Sequence, residues 1–197
     1  MSYSRESIWD ETFPLLRLNG DGARTFLHGQ TTSDILSRQE GDVFASCWLN
    51  AIGRVQALLE IRLTSVGADV VVLGGDMNGV INGFGRVIFP ADKFSLEPLS
   101  SIRRIQIISE DSSERFKKVI WIHPSDPIPL KLQNLAKVGM LDRQLWSIDN
   151  GFPMGGGEIN CKYTPFELGL SDLVCLNKGC YLGQETIAKL VKVGHVR

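Results

Sequence analysis

The sequence predicts an α+β fold with largely antiparallel sheets. Residues 54–65 alternate, with Val55, Ala57, Leu59, Ile61 and Leu63 on one side and Gln56, Leu58, Glu60, Arg62 and Thr64 on the other. That is the period of a strand with one buried face. Residues 43–49 form a second apolar run, joined to the first by the short turn Asn50-Ala51-Ile52-Gly53. Elsewhere strand-like and helix-like segments mix without strict βαβ alternation, which favours antiparallel pairing.

The elements follow in order. Pro14–Asn19 reads as a short strand ending in an Asn19-Gly20 turn. Asp21 is the expected N-cap of a helix that turns Phe26 and Leu27 inward. A second short helix is expected from Thr31 or Thr32 through Ile35 and Leu36, broken by Gly41-Asp42. After the 43–65 hairpin come a strand at Asp69–Leu73 and a helix at Gly75–Val87. Lys93–Leu96, Arg103–Ile108 and Lys118–Ile122 read as strands, with a short helix at Asp111–Phe116.

Pro124–Pro129 carries three prolines in six residues, which discourages both helix and sheet. It divides the chain into a first lobe, 1–123, and a second, 124–197. In the second lobe Arg143–Ile148 reads as a strand and Gly151–Gly157 as a flexible turn. Thr164-Pro165-Phe166-Glu167 has the form of a capping box with proline at the first helical position, and Gly169 ends that turn. Gln184–Val191 reads as a helix stopped by Gly194, after which the chain enters a further strand.

Composition bounds the function. Of 197 residues, 43% are hydrophobic and 22% charged, enough for a real core. The formal net charge is −1, so general attraction to nucleic acid or anionic lipid is not indicated. No stretch reaches the roughly 20 apolar residues that span a membrane. The N-terminus, Met1 to Ser7, has no apolar core of a secretory signal. Cys47, Cys161, Cys175 and Cys180 show no C-x-x-C and no structural-zinc spacing. They are expected to be reduced thiols in a reducing interior: bacterial cytoplasm, plastid stroma or mitochondrial matrix. No metal site is expected.

The chemistry concentrates in Lys178-Gly179-Cys180-Tyr181-Leu182-Gly183-Gln184-Glu185. A cysteine just ahead of a helix N-terminus feels the positive end of the peptide dipoles, and Lys178 adds charge, so thiolate is favoured. The competing reading is a buried structural thiol. The glycine runs at 74–79, 83–85 and 155–157 lack phosphate-loop and dinucleotide spacing and read as turns. His28, His123 and His195 are scattered and read as ordinary core or surface histidines. The four tryptophans sit in or beside strands and read as core.

Residues 178–185 resemble the K-G-C-Y-x-G-Q-E motif of the YgfZ-like proteins, relatives of the glycine-cleavage T-protein. Gly20-Asp21 through Phe26-Leu27-His28-Gly29-Gln30-Thr31-Thr32-Ser33-Asp34 is similar to that family's G-D-A-x-x-F-L-x-G-Q-x-T-x-D. Asp149-Asn150-Gly151-Phe152-Pro153 resembles E-A-G-I-P, and Thr164 to Leu170 resembles P-x-E-x-G-L. The resemblance implies a GcvT-like folate-binding fold of ferredoxin-like lobes around a central pocket. It implies tetrahydrofolate or a one-carbon derivative as ligand, and a role in maturing or repairing [4Fe–4S] proteins. The partners implied are folate and iron–sulfur assembly or client proteins, with no nucleic acid and no membrane.

By the same resemblance Cys180 is the functional thiol, with Lys178 beside it, and Tyr181, Gln184 and Glu185 are binding residues. Asp149 falls where a family acid grips the pterin amino groups. The alternative is a one-carbon aminomethyl transferase like T-protein, and a third reading is an interaction scaffold. Against the transferase, the T-protein stretch G-G-I-x-D-D corresponds to Gly53–Leu58, with Ala57 and Leu58 in place of the acids. The family's small C-terminal β-barrel is expected to be absent or truncated, because the chain ends at Arg197.

Overall fold

The structure, a computed structural model, describes residues 6–108, 115–153 and 157–194. Its strands are β1 (Ser7–Asn19), β2 (Val43–Leu49), β3 (Val55–Thr64), β4 (Gly67–Gly75), β5 (Ser95–Leu96), β6 (Ser100–Ile108), β7 (Val119–Ile122) and β8 (Ala136–Lys137). Its helices are α1 (Ala23–Gln30), α2 (Met77–Gly85), α3 (Met140–Asp149) and α4 (Gln184–Val193). The chain groups into two compact units, Met1–Leu15 with Ser100–Phe152 and Leu16–Leu99 with Pro153–Arg197. Pro124–Pro129 falls inside the first. Residues 111–114 of the expected 111–116 helix, Gly155, Gly156 and everything after Gly194 lie outside the described residues.

In the unit of residues 16–99 and 153–197, β2, β3 and β4 form an antiparallel meander whose far edge is bonded to β1. Ile61 stands between Phe44 on β2 and Val70 on β4. One face therefore gathers Phe44, Trp48, Ala57, Leu59, Ile61, Leu63 and Val70, as the alternation in 54–65 requires. Onto it α1 lays Ala23 and Leu27, and α2 lays Val80 and Phe84. Each large side chain buried there contributes about 1.5–3 kcal/mol. Asp76, rather than Gly75, starts α2, its carboxylate accepting from the Asn78 and Gly79 N–H groups. The buried Asp69 carboxylate on β4 ties together the strands on either side of it, accepting from Arg17 of β1 at 2.7 Å and Arg62 of β3 at 2.6 Å.

In the other unit, residues 7–15 of β1 pair antiparallel with β6, from Ser7 opposite Ile108 to Leu15 opposite Ser100. β7 extends this sheet from β6, and β8 runs parallel to β1. Ile8, Ile105 and Leu132 form the core of one face. On the other, Phe152 packs against Trp9, Phe116 and Trp146 with ring centroids 5.7, 4.8 and 5.6 Å away.

Four local expectations are corrected. No helix forms at 31–36. Thr32 and Ser33 instead bond to their neighbours in space, Thr32 Oγ1 to the Leu173 carbonyl at 2.7 Å and Ser33 Oγ to the Ala45 carbonyl at 3.0 Å. These side chains compete with a helical backbone for its own partners. Residues 143–148 are not a strand but lie in α3. Arg143, Trp146 and Asn150 recur at i, i+3 and i+7 on its inner face, a helical period hidden by short-range alternation. Asp21 does not cap α1; Gly22 holds the N-cap position without a side-chain bond. Residues 165–169 form turns rather than a helix, although the capping-box bonds of Thr164 and Glu167 are made.

β1 also begins earlier than its sequence suggests. Its first half carries adjacent acids that find cations across the sheet. Asp10 accepts from Arg103 Nε at 2.7 Å and Nη2 at 2.6 Å, and pairs with Lys137 at 2.5 Å. The Arg103 hydrogen bonds hold the Asp10 carboxyl down at about 2, against the effect of its burial and with Lys137 assisting. A carboxylate held below its ordinary value stabilises the fold above about pH 4 and loses that contribution as the pH falls through about 2. Asp10→Asn should therefore cost about 2 kcal/mol at neutral pH and flatten the acid limb of stability. Urea melts of both proteins from neutral pH down to about pH 2 check this.

Candidate functional site

The segment 178–185 enters α4 from a loop, and its anchor is Lys178. That residue is only 9% exposed. Its ammonium donates to the carbonyl oxygens of His28, Thr31 at 2.6 Å and Ser33 at 2.9 Å. An ammonium has three donors, and all are used. The ammonium lies 4.8 Å from the centroid of the Tyr181 ring. Burial pushes the Lys178 pKa down to about 8, while Cys175 and Asp34 pull it back up. Two backbone bonds complete the seam, Leu182 N–H to the Gly29 carbonyl at 3.2 Å and Cys175 N–H to the Thr32 carbonyl at 2.9 Å.

Cys180 lies between these anchors and is an exposed free thiol. Cys47 is buried, Cys175 is half-buried, and Cys161 is exposed. Gly183 follows in the left-handed region at φ 82° and forms the N-cap of α4. A side chain there would place Cβ 2.6 Å from the Asn50 carbonyl oxygen and 3.1 Å from the Gly53 Cα. Glycine is thus required both for backbone conformation and for the close approach of the β2–β3 turn. Beside that turn Arg54 Nη1 meets Glu167 Oε2 at 2.7 Å. Thr164, through its backbone N–H first and Arg54 in addition, keeps the Glu167 carboxyl below its ordinary range.

The other expected site residues divide by environment. Tyr181 is buried, and its hydroxyl has no hydrogen-bond partner. Burial, with Cys175 and Cys47 adding to it, pushes that phenol up to about 12. Gln184 turns back so that its Oε1 accepts the Tyr181 N–H at 3.3 Å. Glu185 is exposed and pairs with Lys189 one turn on at 2.7 Å. Asp149 belongs to the other unit, where it ends α3 with its side chain exposed. Next to it Asn150 is buried, its Nδ2 on the Trp146 carbonyl at 2.8 Å and its Oδ1 without a partner. Ala57 and Leu58 are wholly buried in β3.

Sequence reasoning passed over His28. Its ring packs against the loop, with Nε2 3.5 Å from where a Gly179 Cβ would stand. Its Nδ1 lies 3.4 Å from Asp34 Oδ1. A lone histidine gives no signal by spacing alone; the signal that was present is its place inside the 20–34 motif. Among the described residues no group of three or more His, Cys, Asp or Glu could hold a metal ion. Nor is any described helix long and apolar enough to cross a membrane.

No family model matches the chain. It is similar to the tRNA-modifying protein YgfZ of Colwellia psychrerythraea, 26% identical over 92% of this chain and 66% of that protein. It is also similar to a chloroplastic protein of Arabidopsis thaliana with a provisional transferase name, 20% identical over 91% of this chain and 51% of that one. Among solved structures it matches the glycine cleavage system aminomethyltransferase T of Bartonella henselae with a TM-score of 0.73. That match is 13% identical and covers 98% of this chain and 64% of the other, a likeness of fold. The chain thus spans between about half and two thirds of the curated relatives it matches.

The geometry makes Lys178 a structural keystone whatever the chemistry. Lys178→Met should leave three carbonyls without their donor and cost about 2–4 kcal/mol of stability. Glu185→Gln should leave the urea unfolding curve where it is, because Glu185 touches only exposed Lys189. Equal unfolding midpoints for the Lys178→Met variant and the unmodified chain would refute the assignment.

Proposed function

We propose that this chain, similar to a YgfZ protein and alike in fold to aminomethyltransferase T, is a tetrahydrofolate-binding accessory protein in the maturation or repair of [4Fe–4S] proteins. In this reading Cys180 is the working thiol. The observation that carries it is the exposed sulfur of Cys180, fixed between the Lys178 and Leu182 anchors on a chain with the aminomethyltransferase fold.

In the unit of the thiol loop, the Tyr181 hydroxyl is buried without a partner and can donate one hydrogen bond to a reduced folate or accept one from it. In the other unit, the exposed Asp149 carboxylate is the residue that the resemblance assigns to pterin amino groups, and it can accept two hydrogen bonds. When bound, a folate would supply a one-carbon carrier. Lys178 and Gln184 serve by holding the thiol loop, since both have their polar atoms on the backbone.

Aminomethyl transfer of the T-protein kind finds less support. Ala57 and Leu58 stand where that chemistry would need acids, and both are apolar and enclosed. The tRNA-modifying name of the Colwellia relative fits action on a client enzyme rather than direct grip on RNA. Lys and Arg number 21 against 22 Asp and Glu, so no excess of basic charge is available for phosphates. The chloroplastic and bacterial relatives fit a reducing plastid or bacterial interior.

Two measurements test the reading. Tetrahydrofolate titrated into the protein should give a saturable change in tryptophan fluorescence and a matching calorimetric isotherm. Asp149→Asn should weaken that binding about tenfold, the worth of one charge-assisted hydrogen bond. A flat titration by both methods would leave only a scaffold. In cells lacking the native protein, Cys180→Ala should fail to restore a [4Fe–4S] enzyme activity, and full rescue would remove the thiol from the mechanism.

A further inference from the structure

We propose that the outward face of α3 is a docking surface for an amphipathic helix of a partner protein, one whose aliphatic stripe is edged by lysine or arginine. The proposal uses neither Cys180 nor folate.

The first observation is that α3 is inverted. α1 and α2 lay their apolar side chains on the sheet. The inner face of α3 carries Arg143, Trp146 and Asn150 instead. Arg143 is bound to Glu11 and lies over the Trp9 ring, 5.3 Å from its centroid. Asn150 Nδ2 donates back to the Trp146 carbonyl at 2.8 Å. The outer face carries Leu141, Leu145 and Ile148, which recur at i, i+4 and i+7 and so form one stripe. They are 68%, 45% and 72% exposed, and Met140 at the head of the helix is 71% exposed. A single exposed leucine is ordinary on a protein surface. An aliphatic stripe along two turns of one helix is a contiguous patch, the kind that marks an interaction site. The stripe runs about 10 Å. Anchors at that spacing are how one helix receives another, ridge into groove.

The second observation is charge, and it selects the occupant. Asp142, Leu145 and Asp149 stand at i, i+3 and i+7, so two acids border the stripe along one flank. Asp149 also occupies the last turn, where the negative end of the peptide dipoles disfavours an acid and no base is present. Arg143, the one base of α3, is turned inward to Glu11, and Lys137 just ahead of the helix is paired with Asp10. A lysine or arginine brought by the partner complements this flank and relieves the acid at the helix end. The same flank repels an anionic lipid surface or a nucleic acid. A second copy packed antiparallel would set acid flank against acid flank. One carboxylate cannot serve a pterin and a docked base at once, so the test is run without folate, and its failure is separate from a failed tetrahydrofolate titration.

The test is fluorescence anisotropy of a labelled synthetic helix, with leucines in a single stripe and lysines on both flanks, titrated with the full chain. A matched peptide with glutamate for every lysine is titrated beside it. The lysine peptide should saturate, bind about tenfold or more tighter than the glutamate peptide, and weaken as salt is raised. Leu141→Gln and Ile148→Gln should each weaken it about tenfold. Both replace exposed side chains with a residue that suits a helix, and circular dichroism verifies their folding. Ile52→Gln, at a position 64% exposed on the β2–β3 turn, should leave the isotherm unchanged. Asp142→Asn combined with Asp149→Asn should erase the preference for lysine over glutamate. An unsaturable titration, equal binding of the two peptides, or isotherms unmoved by Leu141→Gln and Ile148→Gln would each overturn the proposal. So would light scattering that finds a dimer of the unmodified chain and a monomer of Ile148→Gln, which would give the face to a second copy.

Discussion

The seating of Lys178 on the end of α1 is the constraint on which the site depends. A helix leaves its last carbonyls without intrahelical donors. In α1 the Leu27 carbonyl is met by Thr31 through both its N–H and its hydroxyl. The next two are met from far along the chain, His28 by the Lys178 ammonium across 150 positions and Gly29 by the Leu182 N–H. A cation at a helix C-terminus also suits the negative end of the peptide dipoles. The segment 178–182 is thus a cap for α1 supplied in trans within one chain. Cys180 sits midway between the capping residues, so its neighbours are fixed while the residue itself stays exposed.

The far side of the loop is governed by close approach rather than by charge. Gly183 and Gly53 meet with their backbones almost in contact, and both have positive φ. Any Cβ on Gly183 would enter the Asn50 carbonyl. Asn50 in turn folds its own turn, its Oδ1 accepting from the Ile52 and Arg54 N–H groups at 3.1 and 2.9 Å. The N-terminus of α4 is thereby placed against the β2–β3 turn, and the meander that builds the core also fixes where the thiol loop ends. Packing, capping and site geometry are one set of contacts here, so substitutions in the loop should be read for stability before they are read for chemistry.

How much of this was legible in the sequence follows from the range of each interaction. β3 was readable because its alternation is local and its buried face is apolar from Val55 to Leu63. The first half of β1 was not, because Asp10 and Glu11 belong to a strand only by virtue of Arg103, Lys137 and Arg143, all distant in sequence. Residues 31–36 looked helical because threonine and serine are good caps, yet their hydroxyls bind the 45–46 and 173 backbone and side chains instead. In the site, the eight residues from Lys178 to Glu185 were identifiable as a unit. That the lysine faces three carbonyls rather than the sulfur was not, since nothing local to residue 178 specifies His28, Thr31 and Ser33 as its acceptors.

That orientation changes what the motif can do. A lysine whose three protons are all directed to carbonyl oxygens is poorly placed to exchange one with a neighbouring thiol. Its charge still acts through space and disfavours a charged His28 imidazole. Burial likewise holds the Tyr181 phenol protonated to about 12. Glu185 points to Lys189 in solvent. The His28 ring faces the Gly179 backbone, with Nε2 3.5 Å from an ideal Cβ position there. The same residue whose carbonyl lets Lys178 anchor the loop has its ring against that loop, so loop position and ring position cannot vary independently.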